Sequence, residues 1–204
     1  MISHMDLPFF QKYARLYKEH GYSLYMIGGT SRDILLGKLP SDFDFVTDAT
    51  PEEEKAFLPD ADYAFEKYGS IKLKEQEIEV DITTFREEGE YLDFRHPSYI
   101  KFVTSAEKDS KRRDFTVNAL YINGEGKVLD FHHGLEDLQN KVIRFIGDPE
   151  TRVKEDPLRI LRAERFARRL GFQIEKATQK AMDDNRCLLK KLNPEKVKSE
   201  EKKG

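Results

Sequence analysis

Ser23-Leu24-Tyr25-Met26-Ile27-Gly28-Gly29-Thr30-Ser31-Arg32-Asp33, continuing through Leu35-Leu36-Gly37 to Asp42-Phe43-Asp44-Phe45-Val46, reads as strand, tight turn, helix and strand. Side chains on a strand alternate between faces, so Asp42 and Asp44 are expected on one face and Phe43 and Phe45 on the other. The two rings can then bury against helices and stiffen the strand beneath the carboxylates. Two like charges side by side repel unless a cation lies between them. Hard oxygen ligands of this kind suit Mg2+, which keeps several waters and takes further ligands from substrate phosphates. Gly28 and Gly29 fit the other half of such a site, because a backbone without Cβ can approach a phosphate and the helix that follows offers free N–H groups. Arg32, on the first turn, is expected to reach the same anion. Alone, an Asp-x-Asp is usually a pair of solvated surface carboxylates, and a Gly-Gly turn usually carries no ligand. Their occurrence in one strand-turn-helix-strand unit is what points to a metal and a triphosphate.

A third carboxylate comes from Glu77-Ile78-Glu79-Val80-Asp81-Ile82-Thr83-Thr84-Phe85-Arg86, which alternates as a strand with one apolar face. Ile78, Val80 and Ile82 are expected in the core, and Asp81 on the face that bears Asp42 and Asp44. Gly69 to Lys74 is expected to form its hairpin partner through Glu75-Gln76.

These residues resemble the nucleotidyltransferase superfamily that includes DNA polymerase β, and within it the bacterial tRNA CCA-adding enzymes and poly(A) polymerases. The resemblance rests on Gly28-Gly29-x-x-Arg32-Asp33-x-x-Leu36-Gly37, Asp42-Phe43-Asp44, Thr50-Pro51-Glu52 and Thr83-Thr84-Phe85-Arg86. It continues through Tyr91-x-Asp93-x-Arg95-x-Pro97, Arg112-Arg113-Asp114-Phe115-Thr116-Val117-Asn118-Ala119-Leu120 and Glu155-Asp156-Pro157-Leu158-Arg159-Ile160-Leu161-Arg162-Ala163. It covers roughly residues 20 to 175 and implies an α+β fold: a polymerase β-like head with a mixed or antiparallel sheet and helices, then an α-helical neck. It implies that Asp42 and Asp44 bind Mg2+, and that Asp81 helps activate an RNA 3′ hydroxyl for attack on the α-phosphate of CTP or ATP. Gly28, Gly29, Arg32, Arg113, Asp114, Asn118, Asp156, Arg159, Arg162 and Arg165 become the nucleotide-binding set. Arg113 is assigned to the triphosphate or sugar, and Asp114 and Asn118 to the ribose or to support of their loop.

The run from Glu155 to Leu170 reads as a helix with Pro157 in its first turn and Gly171 as its C-terminal cap. Ile160, Ala163, Ala167 and Leu170 give it a buried stripe. Asp156, Arg159, Arg162 and Arg165 form a second stripe, which read without the resemblance is a solvated face with an ordinary Asp156–Arg159 ion pair. With the resemblance, Asp156 and Arg159 become a protein template. Cytosine and adenine each present an exocyclic amine beside an unprotonated ring nitrogen, which a carboxylate and a guanidinium complement. Uracil and guanine present a carbonyl beside a ring N–H and mismatch both contacts.

The remaining features bound the reading. No apolar run has the length of a membrane span, and Asp6 to His20 resembles an amphipathic helix rather than a signal peptide. The one cysteine, Cys187, argues against a disulfide framework and for a reducing cytoplasm. The histidines show no metal-ligand spacing. A net charge of -3 means that any RNA contact must rest on local positive stripes. Expected divisions are a catalytic head over 1–144, a helical neck over 145–190 and a disordered polar end over 191–204. Glu87 to Ser105 reads as a mobile loop. Relatives continue into helical body and tail regions, so the readings are CCA addition to tRNA, then poly(A) synthesis, then a nucleotide-binding module without efficient turnover.

Overall fold

The computed structural model describes residues 7–203. The described residues divide into two compact units, the first of residues 7–87, 100–110 and 118–131, the second of 88–99, 111–117 and 132–203. Three stretches ahead of residue 145, namely 88–99, 111–117 and 132–144, group with the helical portion.

The first unit begins with helix α1 (Leu7–Glu19), whose Phe10, Tyr13 and Tyr17 recur on one side and are buried. Asp6, expected in this helix, lies outside the described residues. Strand β1 (Leu24–Met26), helix α2 (Gly28–Leu35) and strand β2 (Phe43–Thr47) follow as expected, although β2 starts one residue after Asp42. Helix α3 (Pro51–Glu54) carries a capping box, with Thr50 accepting from the Glu53 amide and Glu53 from the Thr50 amide. Strands β3 (Ser70–Glu75) and β4 (Ile78–Thr84) form the expected hairpin, with Gln76 at positive φ in its turn. After them come β5 (Arg86–Glu88), β6 (Ile100–Phe102), α4 (Ala106–Ser110), β7 (Leu120–Asn123) and β8 (Val128–Asp130). The main sheet runs β3-β4-β2-β1-β7-β8 and is mixed, since β2 and β4 pair in parallel while the other pairs are antiparallel.

One face of that sheet carries the larger core, and Ile27, Val46, Phe85 and Tyr121 form a second buried cluster. Phe45, Val80, Ile82, Ile71 and Leu73 join Phe10, Tyr13 and Tyr17, and the Phe10 and Phe45 rings meet edge to face at 5.0 Å. Phe43 and Phe45 thus point where alternation puts them, against α1. Residues Glu87 to Ser105 do not form an open loop: β5 and β6 pair, and Gly89 and Ser98 donate backbone hydrogen bonds to Tyr99 and Glu90. Paired amides satisfy that backbone and give it order that its mixed side chains do not announce.

Glu54 is fully buried in this unit, with Tyr17 donating to its Oε1 at 2.5 Å and no hydrogen-bond partner for Oε2 among the described residues. Burial pushes its carboxyl up to about 8, against the smaller lowering effect of the Tyr17 hydroxyl. The folded state therefore holds a proton that the unfolded chain releases in the ordinary carboxylate range. Stability from this group is fully present below that range and is lost as pH rises through about 8, above which it levels off. We expect Glu54→Gln to flatten this loss. Urea midpoints from pH 5 to 9 would show it, and an unchanged slope would contradict it.

The second unit holds α5 (Gly134–Asn140), β9 (Val142–Ile143), α6 (Pro149–Glu155), α7 (Leu158–Leu170), β10 (Gln173–Ile174), α8 (Lys176–Asn185) and α9 (Pro194–Lys202). Helix α7 starts after Pro157, which was expected inside its first turn, ends at left-handed Gly171 as expected, and buries Ile160 and Ala163. Helix α6 ends at Glu155, so Glu155 and Asp156 sit at the α6–α7 junction. In the stretch expected as a polar end, Pro194–Lys202 form α9. Asn193 caps α9 by accepting from the Glu195 amide, and buried Glu200 pairs with Arg165 at 2.8 Å, which gives a polar helix a fixed seat. No described helix is long and apolar enough to cross a membrane.

Candidate active site

In the first unit the site is built on the β1–α2–β2 turn. Ile27 ends buried, and its amide donates to the Asp44 carbonyl at 3.0 Å, bringing the start of α2 against β2. Gly28 has φ +64°, a conformation that costs a side chain but not glycine. Helix α2 has no side-chain N-cap, so its first amides are not satisfied in that way. Thr30, fully buried, links the two ends of the unit: its hydroxyl accepts from the Asp44 amide at 2.8 Å and donates to the Asp42 carbonyl at 3.0 Å.

Arg32 is drawn into the protein. Only 2% exposed, its guanidinium donates through Nε and Nη2 to Asp33 Oδ1 at 3.0 and 2.8 Å and through Nη1 to Asn118 Oδ1 at 2.8 Å. A Cβ on Gly29 would stand 3.4 Å from Nη2. Arg32 is thus a strut beneath the glycine turn, and Asn118 is part of the same support. Arg32, expected on the first turn of α2, lies in the last turn of the eight-residue helix and points inward, where a neighbouring carboxylate and a facing amide oxygen receive it.

Parallel pairing sets Asp44 directly beside Asp81, with Phe43 beside Val80 and Phe45 beside Ile82. Asp81 therefore shares the side of the sheet that carries Asp44, while the flanking apolar residues enter the core. On the next strand Lys72 faces Asp81, Nζ to Oδ1 3.8 Å. Asp42 is exposed in the bend ahead of β2, with Ser41 donating to its Oδ2 at 3.2 Å. Among the described residues no three His, Cys, Asp or Glu side chains are gathered into a metal cage. A pair of carboxylates is nevertheless the usual protein contribution to Mg2+, whose other ligands are water and substrate phosphate.

The second unit holds a separate charge network. Its anchor is Asp114, whose carbonyl accepts from the Ile146 amide at 3.0 Å while the Phe115 and Phe145 rings stack beside it at 5.4 Å. Asp114 accepts from Arg159 Nε at 2.7 Å and pairs with Arg162 Nε at 2.8 Å. Burial alone would raise its carboxyl; the Arg162 and Arg159 charges outweigh that and hold it at about 2. Arg159, 2% exposed, also donates from Nη1 to Glu155 and the Arg152 carbonyl at 2.9 and 2.8 Å, and lies over the Tyr91 ring at 5.4 Å. Asp156, 6% exposed, accepts from the Leu158 amide at 3.1 Å and from Arg162 at 3.0 Å. The ion pair that Asp156 makes is therefore with Arg162, not Arg159, because the break at Pro157 rotates the junction away from regular helical spacing. Arg165 is held by Glu200. The Arg113 carbonyl, like that of Arg112, accepts from Arg152 Nη2 at 2.9 Å.

Sequence reasoning missed Thr30, Arg152, Glu155 as a partner, and Tyr91. The Arg152-Glu155-Arg159 spacing of three and four residues was a readable signal of a charge ladder. Nothing local marks Thr30, whose partners Asp42 and Asp44 lie 12 and 14 residues away. We expect Thr30→Val to cost about 2 kcal/mol, since it strips a buried amide and a carbonyl of their shared partner. Urea unfolding would measure it, and a change under about 0.5 kcal/mol would remove Thr30 from the site's support.

The mixed sheet, the glycine turn into α2 and the paired strand carboxylates define a polymerase β-like nucleotidyltransferase head. The chain belongs to the family described as the Poly A polymerase head domain, which matches residues 24–144. It is 40% identical over 183 residues to the CCA-adding enzyme of Lactobacillus helveticus, covering 90% of this chain and 46% of the relative. Among solved structures it is similar to the Bacillus stearothermophilus CCA-adding enzyme in complex with CTP, at 33% identity and TM-score 0.87, over 97% of this chain and 48% of that one. It is also similar to a tRNA nucleotidyltransferase complexed with a primer tRNA and an incoming ATP analog, at 34% identity and TM-score 0.76, over 92% of this chain and 54% of that one. The chain thus spans about half the length of the relatives it matches.

Proposed function

We propose that the chain carries the catalytic portion of a template-independent RNA nucleotidyltransferase that adds C and A, from CTP and ATP, to the 3′ end of tRNA. The observation that carries this reading is the side-by-side placement of Asp44 and Asp81 on parallel strands, with the Gly28 turn bound to Asp44 through Ile27. Likeness to an enzyme solved with CTP and to one solved with primer tRNA and an ATP analog supports the choice of substrates.

In this reading residues 1–144 supply the transfer chemistry and 145–190 the base choice. Asp42 and Asp44 hold Mg2+, which their hard oxygens suit. Bound there, the ion supplies charge neutralisation on the triphosphate and acidity to the attacking hydroxyl. Asp81 takes the proton of the RNA 3′ hydroxyl. The amides opening α2 at Gly28 and Gly29 receive phosphate oxygens, and Arg32 and Asn118 keep that turn in place. Arg113 and Arg162 draw the triphosphate, Asp114 fixes the arginines, and Arg165 seats α9.

Asp156 accepts from the exocyclic amine of cytosine or adenine and Arg159 donates to the ring nitrogen. Both side chains are buried and already tied to neighbours, a fixed template rather than a pair that must be ordered on binding. Each wrong contact costs about 1–3 kcal/mol, so CTP and ATP are expected to bind at least about tenfold more tightly than UTP and GTP. Titration with the four nucleotides tests this, and equal affinity for all four would contradict it.

Poly(A) synthesis is the second reading, favoured by the family description itself. It differs in requiring no C incorporation. The half-length match to relatives supports a third, a nucleotide-binding portion with little turnover by itself. The reading places the chain in the cytoplasm, consistent with its single, exposed, unpaired cysteine.

A further inference from the structure

The start of edge strand β3 carries an exposed aromatic and basic surface that the transfer chemistry does not use. Phe65 and Tyr68 bracket a 3-10 turn, Tyr68 N donating to Phe65 O at 2.9 Å. Side chains three apart in such a turn eclipse, so both rings lie on one side of it. They are 52% and 45% exposed, and Phe102 of β6 is 36% exposed. Phe102 lies on the backbone of Gly69, where a Cβ would come within 2.7 Å of its ring. Among the described residues none of the three rings packs on another aromatic. Lys67 Nζ stands 4.8 Å from the Tyr68 ring centre, and Lys67, Lys72 and Lys101 are exposed. The acidic member of the turn, Glu66, is already paired with Lys55 at 2.6 Å.

The turn is held in place. Arg86 Nη1 donates to the Tyr68 carbonyl at 2.6 Å, and the Thr84 amide donates to the Gly69 carbonyl at 2.8 Å. Gly69 leads into Ser70, beside Thr83, and then to Lys72, beside Asp81. At the rise of a strand this puts the rings' base about 10 Å from the Asp81 position.

Three large exposed rings among lysines suit a particular kind of partner. Protein interfaces deplete lysine at their centres. Single-stranded nucleic acid takes both features at once, bases stacking on rings whatever their identity and phosphates meeting the ammonium groups. We infer that Phe65, Tyr68 and Phe102, with Lys67, Lys72 and Lys101, receive the unpaired 3′ segment of the RNA whose terminal hydroxyl is brought to Asp81. This rests on the function proposed above and adds the surface that holds its polynucleotide.

The test uses the full chain, a 5′-labelled oligoribonucleotide with an unpaired 3′ segment, and fluorescence anisotropy. The double variant Tyr68→Ala/Phe102→Ala is expected to raise the RNA Kd about tenfold or more. Tyr68→Phe, which keeps the ring, should bind as the parent does, and CTP affinity should be the same in all three. An RNA Kd in the double variant equal to the parent's would overturn the surface and leave nucleotide transfer standing. The same holds if the double variant loses only self-association, which would assign the rings to a second copy of the chain. A parent that binds CTP but no RNA would overturn the surface too. A parent that binds RNA through these rings yet transfers no nucleotide would keep the surface and remove the function.

Discussion

Asp44→Ala is expected to lower CTP-dependent transfer at least about a thousandfold while changing global stability by less than about 1 kcal/mol. The rate effect follows from charge: a carboxylate that fixes a divalent ion on the triphosphate contributes several kcal/mol of transition-state stabilisation, and about 4 kcal/mol is three powers of ten. The small stability effect follows from position. Asp44 is a half-buried residue whose backbone, not its side chain, makes the bonds to Thr30 and Ile27. The variant keeps both bonds and also relieves the juxtaposition with Asp81. Steady-state transfer and urea unfolding on one preparation would separate the two quantities. A variant that retained a tenth of the parental rate would remove Asp44 from the reaction.

Asp114→Asn is expected to destabilise the second unit by about 3 kcal/mol or more. Asp114 is the shared counter-charge of Arg159 and Arg162, and Arg159 is 2% exposed, so its charge has almost no water to fall back on. Breaking one partner out of a buried pair costs about 3–5 kcal/mol because the other charge stays buried. The pH dependence has a definite sign. The folded carboxyl is held down at about 2 by the two arginines, against the raising effect of burial. Its contribution is therefore present above the ordinary carboxylate range near 3.8 and is lost as pH falls from there through about 2. Thermal unfolding from pH 2 to 6 should give a shallower acid limb in the variant. Equal midpoints for parent and variant at pH 6 would contradict the account.

How much of this was legible in the sequence depends on whether a residue's role is local. Alternation along β2 and β4 announced which side chains enter the core and which share a face, because the two-residue period leaves no third option. Capping of α3 by Thr50 and Glu53 and termination of α7 at Gly171 were equally local, and so were readable. Alternation put Asp81 on the face that bears Asp44, whereas the side-by-side register depends on the parallel pairing of β2 and β4. What the sequence misplaced was the direction of long charged side chains. Arg32 turns inward to Asp33 and Asn118, the latter 86 positions away, and Asp156 takes Arg162 instead of Arg159. An arginine carries five donors on a flexible stem, and which acceptors they meet is decided by packing that no spacing rule encodes. The last helix is a similar case, since α9 is mostly polar and its buried Glu200 pairs with Arg165 of α7.

The central claim is that this chain joins CTP-derived cytidine to an RNA 3′ end. Its most direct test incubates the chain with tRNA ending before its 3′ CCA, Mg2+ and labelled CTP, with ATP added in a parallel reaction. The account predicts addition of C from CTP alone and of a further A when ATP is present, neither with UTP or GTP, and neither with Asp44→Ala. A ladder of A alone would assign the chain to polyadenylation, and no label in the RNA under any of these conditions would contradict the transfer itself.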